Sequence, residues 1–302
     1  MIPSERLKGI EAFVTAADAG SFAAAAGRLH LTSSAISKSI ARLETRLGSR
    51  LFDRTTRRLT LTDAGAAFYE TCVRVLADLA EAEAVLASHR SDIVGRLKVD
   101  VPVAFGRMRV LPLLLDFAER HPNVRPNITF TDRVVDVIEE GVDVAVRIGT
   151  PTAWPEALGH RYLGTERVIF CAAPAYLDQH GLPRTVDELA TRDCILYGRA
   201  DGSTIAWRFG DAAGEVEQRT MDGRIVLGSA EAQVEAVRAG FGIAQLATWL
   251  IAADLQRGDL VEILPGQATE GLPLHLVWPR SRQLSPKVDA LLAVLTEGLR
   301  VE

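Results

Sequence analysis

Between residues 32 and 58 the chain sets out two groups of side chains able to hold a polyanion. The first is Thr32, Ser33, Ser34, Ser37, Lys38 and Arg42, short hydroxyls followed by two cations. The second is Arg50, Arg54, Arg57 and Arg58, four arginines around the single acid Asp53. Hydroxyls and backbone N–H groups at a helix start approach phosphates and base edges closely. Guanidinium groups neutralise phosphates whatever the base sequence.

The elements that must position these groups are legible from periodicity. At about 100° per residue, Ile36, Ile40, Leu43 and Leu47 fall on one stripe. Ser34, Lys38, Ala41 and Thr45 fall opposite, flanked by Ser37 and Arg42. A solvated helix face more often carries long mixed charges in i,i+4 pairs. Thr32 or Ser33 is placed to cap this helix. The Ala-rich segment from Ser21 forms a short helix before it, and Leu29 to Thr32 breaks the period, so the pair reads as a helix-turn-helix. Leu51, Phe52, Leu59 and Leu61 anchor two short strands with Thr55-Thr56 at the tip, a wing carrying its arginines beside the major groove.

Ala25-x3-Leu29-x2-Thr32-x2-Ala35-Ile36-Ser37-x2-Ile40-x2-Leu43-Glu44-x2-Leu47-Gly48-x2-Leu51-Phe52-x-Arg54, followed by Arg57-x-Leu59-x-Leu61-Thr62-x-Ala64-Gly65, resembles the amino-terminal signature of LysR-type transcriptional regulators. The match is gapless over about twenty positions, far more specific than a lone motif.

Charge distribution agrees with a basic head on an acidic body. Residues 1–65 hold ten Lys or Arg against six Asp or Glu, +4, while the remainder holds 24 against 33, −9, within a chain of net charge −5. Hydrophobic content of 48% with 24% charged residues describes a globular protein. The start, Met1-Ile2-Pro3-Ser4-Glu5-Arg6, lacks an apolar signal core and charges interrupt every apolar run, so the expected location is the cytoplasm, without membrane contact. Cys72, Cys171 and Cys194 lack metal or redox spacing and read as apolar fillers; the six histidines are scattered, and neither a metal nor a cofactor is expected.

Leu7, Ile10, Phe13, Val14 and Ala17 give a first amphipathic helix, a scaffold for the recognition helix. From Thr62 a long helix places Phe68, Cys72, Val75, Leu79, Ala82 and Leu86 at alternating spacings of 4 and 3, a coiled-coil seam. That stripe packs either on the chain's own body or on a second copy. The second is favoured because DNA sites are commonly read as two half-sites by a dimer. The resemblance implies the same, a linker helix through which subunits pair, with Ser91 to Gly95 as hinge.

Beyond the hinge, strands and helices alternate. Strands are expected at 97–101, 127–131, 142–148, 168–173, 194–197, 224–227, 242–246, 260–264 and 273–278. Helices are expected at 108–120, 134–140, 174–180, 186–190, 230–239, 248–257 and 286–299. This rhythm indicates an α/β domain with a mostly parallel sheet. The resemblance supplies the arrangement: an N-terminal winged helix-turn-helix (1–62), a linker helix (63–91) and a two-subdomain, periplasmic-binding-protein-like effector domain (92–302). Subdomain I spans about 96–163 and 268–302 and subdomain II about 164–267, with the chain crossing near Leu163 to Glu166 and returning near Pro265 to Glu270.

Ligands of open α/β sheets bind beyond the carboxyl ends of strands. Such ends fall at Val103-Ala104-Phe105-Gly106, Arg147-Ile148-Gly149, Tyr197-Gly198-Arg199 and Gly228-Ser229, with Gln245 offering either a polar contact or a strand cap. Arg147 could pair an effector carboxylate bidentately, or form an internal salt bridge to Asp143 or Glu166. Many members of the resembling family carry a proline where Ala247 stands and a hydroxyl where Ala104 stands; the loss of that hydroxyl donor weakens the case for an anionic effector.

No G-x-S-x-G, Walker A, H-E-x-x-H or dinucleotide fingerprint is present, and Asp132 and Asp136 read as surface carboxylates, so an enzyme is not expected. The resemblance implies promoter DNA, a small-molecule effector, RNA polymerase and further copies of the chain, as dimer or tetramer, as partners.

Overall fold

Phe13 sits at the centre of the first of two compact units, Met1–Ser91 and Asp92–Glu302, into which the computed structural model divides. Described are residues 4–54, 59–87, 93–149, 153–199, 201–210, 216–283 and 285–299. Arg57 and Arg58 lie outside them, as do the side chains of Arg54, Ala82 and Leu86.

In the first unit, α1 (Ser4–Ala19) buries Ala12, Phe13 and Ala16 against α2 (Phe22–Arg28) and α3 (Ser33–Leu47). Ser21 Oγ accepts from Ala24 N at 3.1 Å and Thr32 Oγ1 from Ala35 N at 3.2 Å, so each helix starts on a side-chain cap. Gly48, at φ 67°, ends α3 in the left-handed conformation that a residue with Cβ resists. Ile36, Ile40 and Leu43 are buried, each contributing about 1.5–3 kcal/mol. Leu47, expected on the same stripe, is exposed instead, because it lies in the last turn, past the end of the packed core.

Strands β1 (Phe52–Arg54) and β2 (Leu59–Leu61) pair antiparallel, Phe52 opposite Leu61. Glu44 Oε1 accepts from Leu51 N at 2.8 Å and Phe52 N at 3.3 Å, which ties the end of α3 to the root of the wing. Thr62 Oγ1 accepts from Gly65 N at 2.9 Å and donates to Arg50 O at 2.8 Å, capping α4 (Asp63–Ala87) beside β1.

In the second unit, β3 (Gly95–Val101) leads through Pro102 into one helical stretch: α5 (Val103–Phe105), a π turn at Gly106–Val110, and α6 (Leu111–Arg120). It thus begins five residues before the expected Met108. Next come β4 (Val124–Phe130), β5 (Val144–Ile148) and the long β6 (Leu158–Ala172). Then follow α7 (Pro174–His180), α8 (Val186–Leu189), β7 (Ile195–Tyr197), β8 (Trp207–Gly210), β9 (Val216–Arg219) and β10 (Ile225–Leu227). The chain continues through α9 (Ala230–Arg238), β11 (Ala244–Ala247), α10 (Thr248–Arg257), β12 (Val261–Ile263), β13 (Thr269–Pro279) and α11 (Pro286–Gly298).

The main sheet runs β11-β6-β13-β5-β3-β4 with β12 also on β6, and it is mixed, not mostly parallel as expected. Only β4, β3 and β5 run parallel within it, with β7 and β10 parallel as a separate pair. The reason is that the chain crosses between two lobes on β6 and returns on β13, and two crossings in opposite senses pair antiparallel. Residues 158–163, assigned no element from the sequence, form the first part of β6, and β8–β9 is a hairpin that periodicity missed.

The helix expected at Val134–Glu140 is a series of turns. Asp136 Oδ1 accepts from Ile138 N and Glu139 N, both at 2.9 Å, an Asx turn that competes with the helix. Val134 stands 97% exposed. Lobe I buries Val99, Val101, Phe105, Phe117, Leu276 and Leu291, whereas lobe II buries Ile169, Cys171, Ile195, Val237, Leu246 and Ile251.

Two glycine substitutions separate packing from helix propensity. A Cβ on Gly65 would stand 2.0 Å from Leu51 O, so Gly65→Ala is expected to destabilise the first unit by about 1–3 kcal/mol. A Cβ on Gly27, in α2, meets nothing within 4 Å, and Gly27→Ala should stabilise by about 0.4–1 kcal/mol. Urea denaturation of the two variants should move the midpoint in opposite directions.

Candidate nucleic-acid interface and ligand cleft

On α3 the buried side and the polar side are opposite, as the periodicity requires. Ser33, Ser34, Lys38 and Arg42 are exposed, Ser37 half-buried, and Thr32 exposed with its hydroxyl holding the helix cap. Lys38, Ala41, Arg42, Thr45 and Arg46 form an open, exposed patch on this side. Arg50 is exposed at the root of the wing. The arrangement is a convex helix face of hydroxyls and cations with a basic residue beside it, which suits a charged groove.

The seam of α4 divides between two environments. Phe68 packs against Phe13, ring centroids 5.5 Å apart, and Cys72 is buried in the same core. These two therefore serve their own unit, which corrects the expectation that they face a second copy. One stripe on a helix of about 37 Å outruns the three-helix core it starts on. Val75 and Leu79, one and two turns further, are 43% and 38% exposed.

In the second unit, the expected ligand residues are drawn into internal contacts. Val103 N donates to Asp132 Oδ1 at 2.9 Å, Ala104 packs into the lobe II core, and Phe105 meets Trp249 edge-on at 5.0 Å. A Cβ on Gly106 would stand 2.3 Å from Val101 Cγ2, which explains a glycine there. Arg147 Nη1 donates to Asp100 Oδ1 at 2.6 Å and to Val146 O at 3.0 Å. This is the internal salt bridge, but its partner is neither Asp143 nor Glu166. Asp143 holds Lys98 N at 2.8 Å and Arg282, and Glu166 accepts from Trp249 Nε1 at 2.8 Å. The Arg147 side chain is 18% exposed, and its Nη2 is buried without a hydrogen-bond partner.

Ile148 lies against the lobe I core, and Gly149, at φ 96°, donates to Pro273 O. Tyr197 is half-buried near the Asp132 carboxylate, and burial, with that negative charge, raises its phenol above the usual range. Arg199 closes a turn onto Ser203, Gly228 precedes the cap, and Ser229 Oγ caps α9 at Ala232 N. Gln245 Oε1 accepts from Arg208 N at 2.9 Å and its Nε2 donates to Arg208 O at 2.6 Å. Its amide is thus the strand tie, not an open polar contact. Among the described residues, no cluster of three metal-ligating side chains occurs and no helix is long and apolar enough to cross a membrane.

Residues 7–66 match the bacterial regulatory helix-turn-helix protein family of lysR type, and residues 90–300 match the LysR substrate binding domain. The chain belongs to the LysR family. The regulator CrgA of Neisseria meningitidis is 31% identical over 95% of this chain and 95% of its own length. The regulator DmlR of Escherichia coli is 32% identical over 86% and 83%. A solved CrgA structure superposes with a TM-score of 0.62 at 30% identity, covering 97% of this chain and 98% of that one. Full-length AphB of Vibrio cholerae, at 23% identity and TM-score 0.62, shares the fold. This LysR-type protein is a DNA-binding transcriptional regulator with an effector-binding domain, and its relatives are regulators, not enzymes.

Residues that sequence reasoning passed over join the two lobes of the regulator. Arg107 forms an ion pair with Glu231, the Asp132 carboxylate lies near the Tyr197 phenol, and Glu166 on the crossing strand holds Trp249. Asp132 had read as a surface acid like Asp136. Asp136 does close its own turn, whereas Asp132 reaches the start of α5. Only a fold-level view distinguishes them.

Burial pushes the thiols up, Cys72 to about 11, Cys171 to about 12 and Cys194 to about 11, so all three are protonated and inert at neutral pH, as apolar fillers should be.

Glu166 is buried among neutral donors, Trp249 Nε1 and the Leu272 backbone N–H, and desolvation raises its carboxyl above the ordinary 4.5. The folded state therefore favours the protonated acid. This group's contribution is most favourable below the unfolded value and is lost as pH rises through the raised folded one. Glu166→Gln, which keeps an acceptor and removes the charge, should gain most in Tm over the wild type at neutral pH. The gain should close as pH falls below 4.5. A Tm difference independent of pH contradicts a titrating Glu166.

Proposed function

We propose that α3 lies in the major groove of promoter DNA with Ser33, Ser34, Ser37 and Lys38 toward base edges. Thr32 holds the helix start in place, Arg42 and Arg50 take phosphates, and the wing with Arg54, Arg57 and Arg58 follows the adjacent backbone. The supporting observation is that Ile36, Ile40 and Leu43 are buried while Ser34 and Lys38 on the opposite side are exposed. Two copies pair through α4, whose Val75 and Leu79 face solvent in the single chain; Ala82 and Leu86 hold the next positions of the same spacing in the sequence.

A small effector sits between the lobes near Val103, Ile148, Gly149, Tyr197, Arg199 and Gly228. It biases DNA binding because it favours one lobe arrangement over another; equal affinity for both would shift nothing. The setting is the cytoplasm, with RNA polymerase as a further partner.

Footprinting on the DNA upstream of its own gene should show a protected, imperfectly two-fold site. On that site, the paired change Ser34→Ala, Lys38→Ala should reduce specific affinity while leaving nonspecific affinity largely intact. Arg50→Ala should weaken all sequences and flatten the log–log salt dependence by about one unit. The absence of any protected site, or equal loss on specific and random duplexes for the Ser34/Lys38 pair, counts against the proposed groove contact.

A further inference from the structure

Along β13, Leu274 and Leu276 face the main core of lobe I, so His275 and Val277 alternate onto the other side of the sheet. There His275 lies 5.4 Å from Trp154, 5.6 Å from Tyr162 and 6.4 Å from His160, centroid to centroid. Trp154 and His160 are 5.1 Å apart. His160 and Tyr162 are exposed, whereas His275 is only 7% exposed. Its Nδ1 is buried without a hydrogen-bond partner.

This cluster stands where the chain passes between lobes. Tyr162 is opposite His275 in the β6–β13 ladder, and the register slips between Leu274 and His275. Two residues beyond Tyr162, Gly164 takes φ 138°, and the Tyr162 hydroxyl meets Thr165 Oγ1 at 2.6 Å across it. A register slip interrupts the backbone ladder, so side chains take a larger share in holding the two strands together there.

A second proton on the His275 ring has no place in the closed cluster. Around it stand His160 and Tyr162 on β6 and, opposite on β5, Arg147 with its partner Asp100 on β3. Further off on the same side are Asp143 paired with Arg282, Arg133 paired with Glu140, and the exposed Glu156 on the loop that carries Trp154. A protonated Nδ1 would be a buried donor without an acceptor, beside a second imidazole. Burial, and then His160, hold the His275 imidazole below its ordinary 6.5, against the nearby Gly149 backbone, which favours the cation.

We propose that His275 is a proton-operated catch on the lobe crossing. Neutral, it packs beside Trp154 and Tyr162 and keeps β6 and β13 together; protonated, with His160 opposing its charge, it leaves the cluster for water and the crossing loosens. The regulator thereby responds to acid without an effector. The catch stabilises the crossing in full above pH 6.5, and its contribution is lost as pH falls from there through the lower folded value. Any effect on DNA rests on the coupling of lobes to DNA proposed above; the catch itself does not.

The test is amide hydrogen exchange of the full-length protein from about pH 8 to about pH 5, the range in which histidine titrates. Exchange is corrected for its intrinsic pH dependence and read on peptides covering the crossing segments of β6 and β13. In both it should rise below pH 6.5, by up to about tenfold per pH unit for one linked proton. His275→Phe keeps a ring and removes the base, so its exchange should stay level. His160→Gln removes the opposing charge, so its acid effect should level off at a higher pH and reach a smaller total. A merely structural ring would produce no such change.

Exchange that is level in the wild type, that rises equally in His275→Phe, or that is identical in His160→Gln overturns the catch. Affinity for a duplex enriched from a random pool, measured over the same range, separates the catch from the proposed function. Affinity that follows exchange in the wild type and is level in His275→Phe supports both. Exchange that rises while affinity stays level leaves the catch standing and removes the coupling of lobes to DNA.

Discussion

The burial of Ile36, Ile40 and Leu43 against Phe13 and Ala25 is the constraint on which the DNA-facing geometry depends. A helix has one orientation about its own axis, so fixing the apolar side fixes the polar side. Ser34, Lys38 and Ala41 need no binding partner to hold them outward. Glu44 extends the constraint by one element, since its carboxylate anchors the backbone N–H groups of Leu51 and Phe52 and so fixes the wing root relative to the end of α3. Core packing and surface presentation are the same event in this unit.

The same logic explains α4. Its first turns complete the three-helix core through Phe68 and Cys72, and the tie from Thr62 to Arg50 O locks its start beside the wing. Past Cys72 the apolar periodicity continues while the core beneath it ends, leaving Val75 and Leu79 exposed. A stripe that outlasts its own core has apolar area left to bury. In the pairing proposed above, a second copy would cover that remainder.

Much of this was legible in the sequence because it is local. Helix faces and the cap at Thr32 depend on residues within one or two turns, so the spacing and types of those residues report them directly. The mixed sheet was not legible. That β6 and β13 run side by side depends on residues more than 100 positions apart, with no mark in either segment. The turn at Asp136 was misread because apolar Val134, Val135, Val137 and Ile138 simulate a helix, while the side-chain acceptor that breaks it is a local hydrogen bond. The cleft was legible as a set of strand ends and not as chemistry. Arg147 was recognised as a constrained arginine, but Asp100, its partner, carries no sign of that role in its own segment.

The cleft contacts also indicate which forces set the relation between lobes. Arg107 is well exposed where it meets Glu231, and an ion pair of that kind contributes at most about 1 kcal/mol. Ala104 in the lobe II core and Phe105 against Trp249 are apolar and largely buried, so they carry the larger share. Trp249 is in turn oriented by Glu166, a buried carboxyl on the strand that crosses between lobes. Apolar contact thus supplies the attraction, and the hydrogen bond from Trp249 to Glu166 supplies direction. A typical allosteric coupling of about 1–3 kcal/mol is comparable to any one of these contacts and small beside the cores that flank them. An effector in this cleft therefore needs to replace only one or two of the cross-lobe contacts to change the lobe arrangement, and it can do so without disturbing either core.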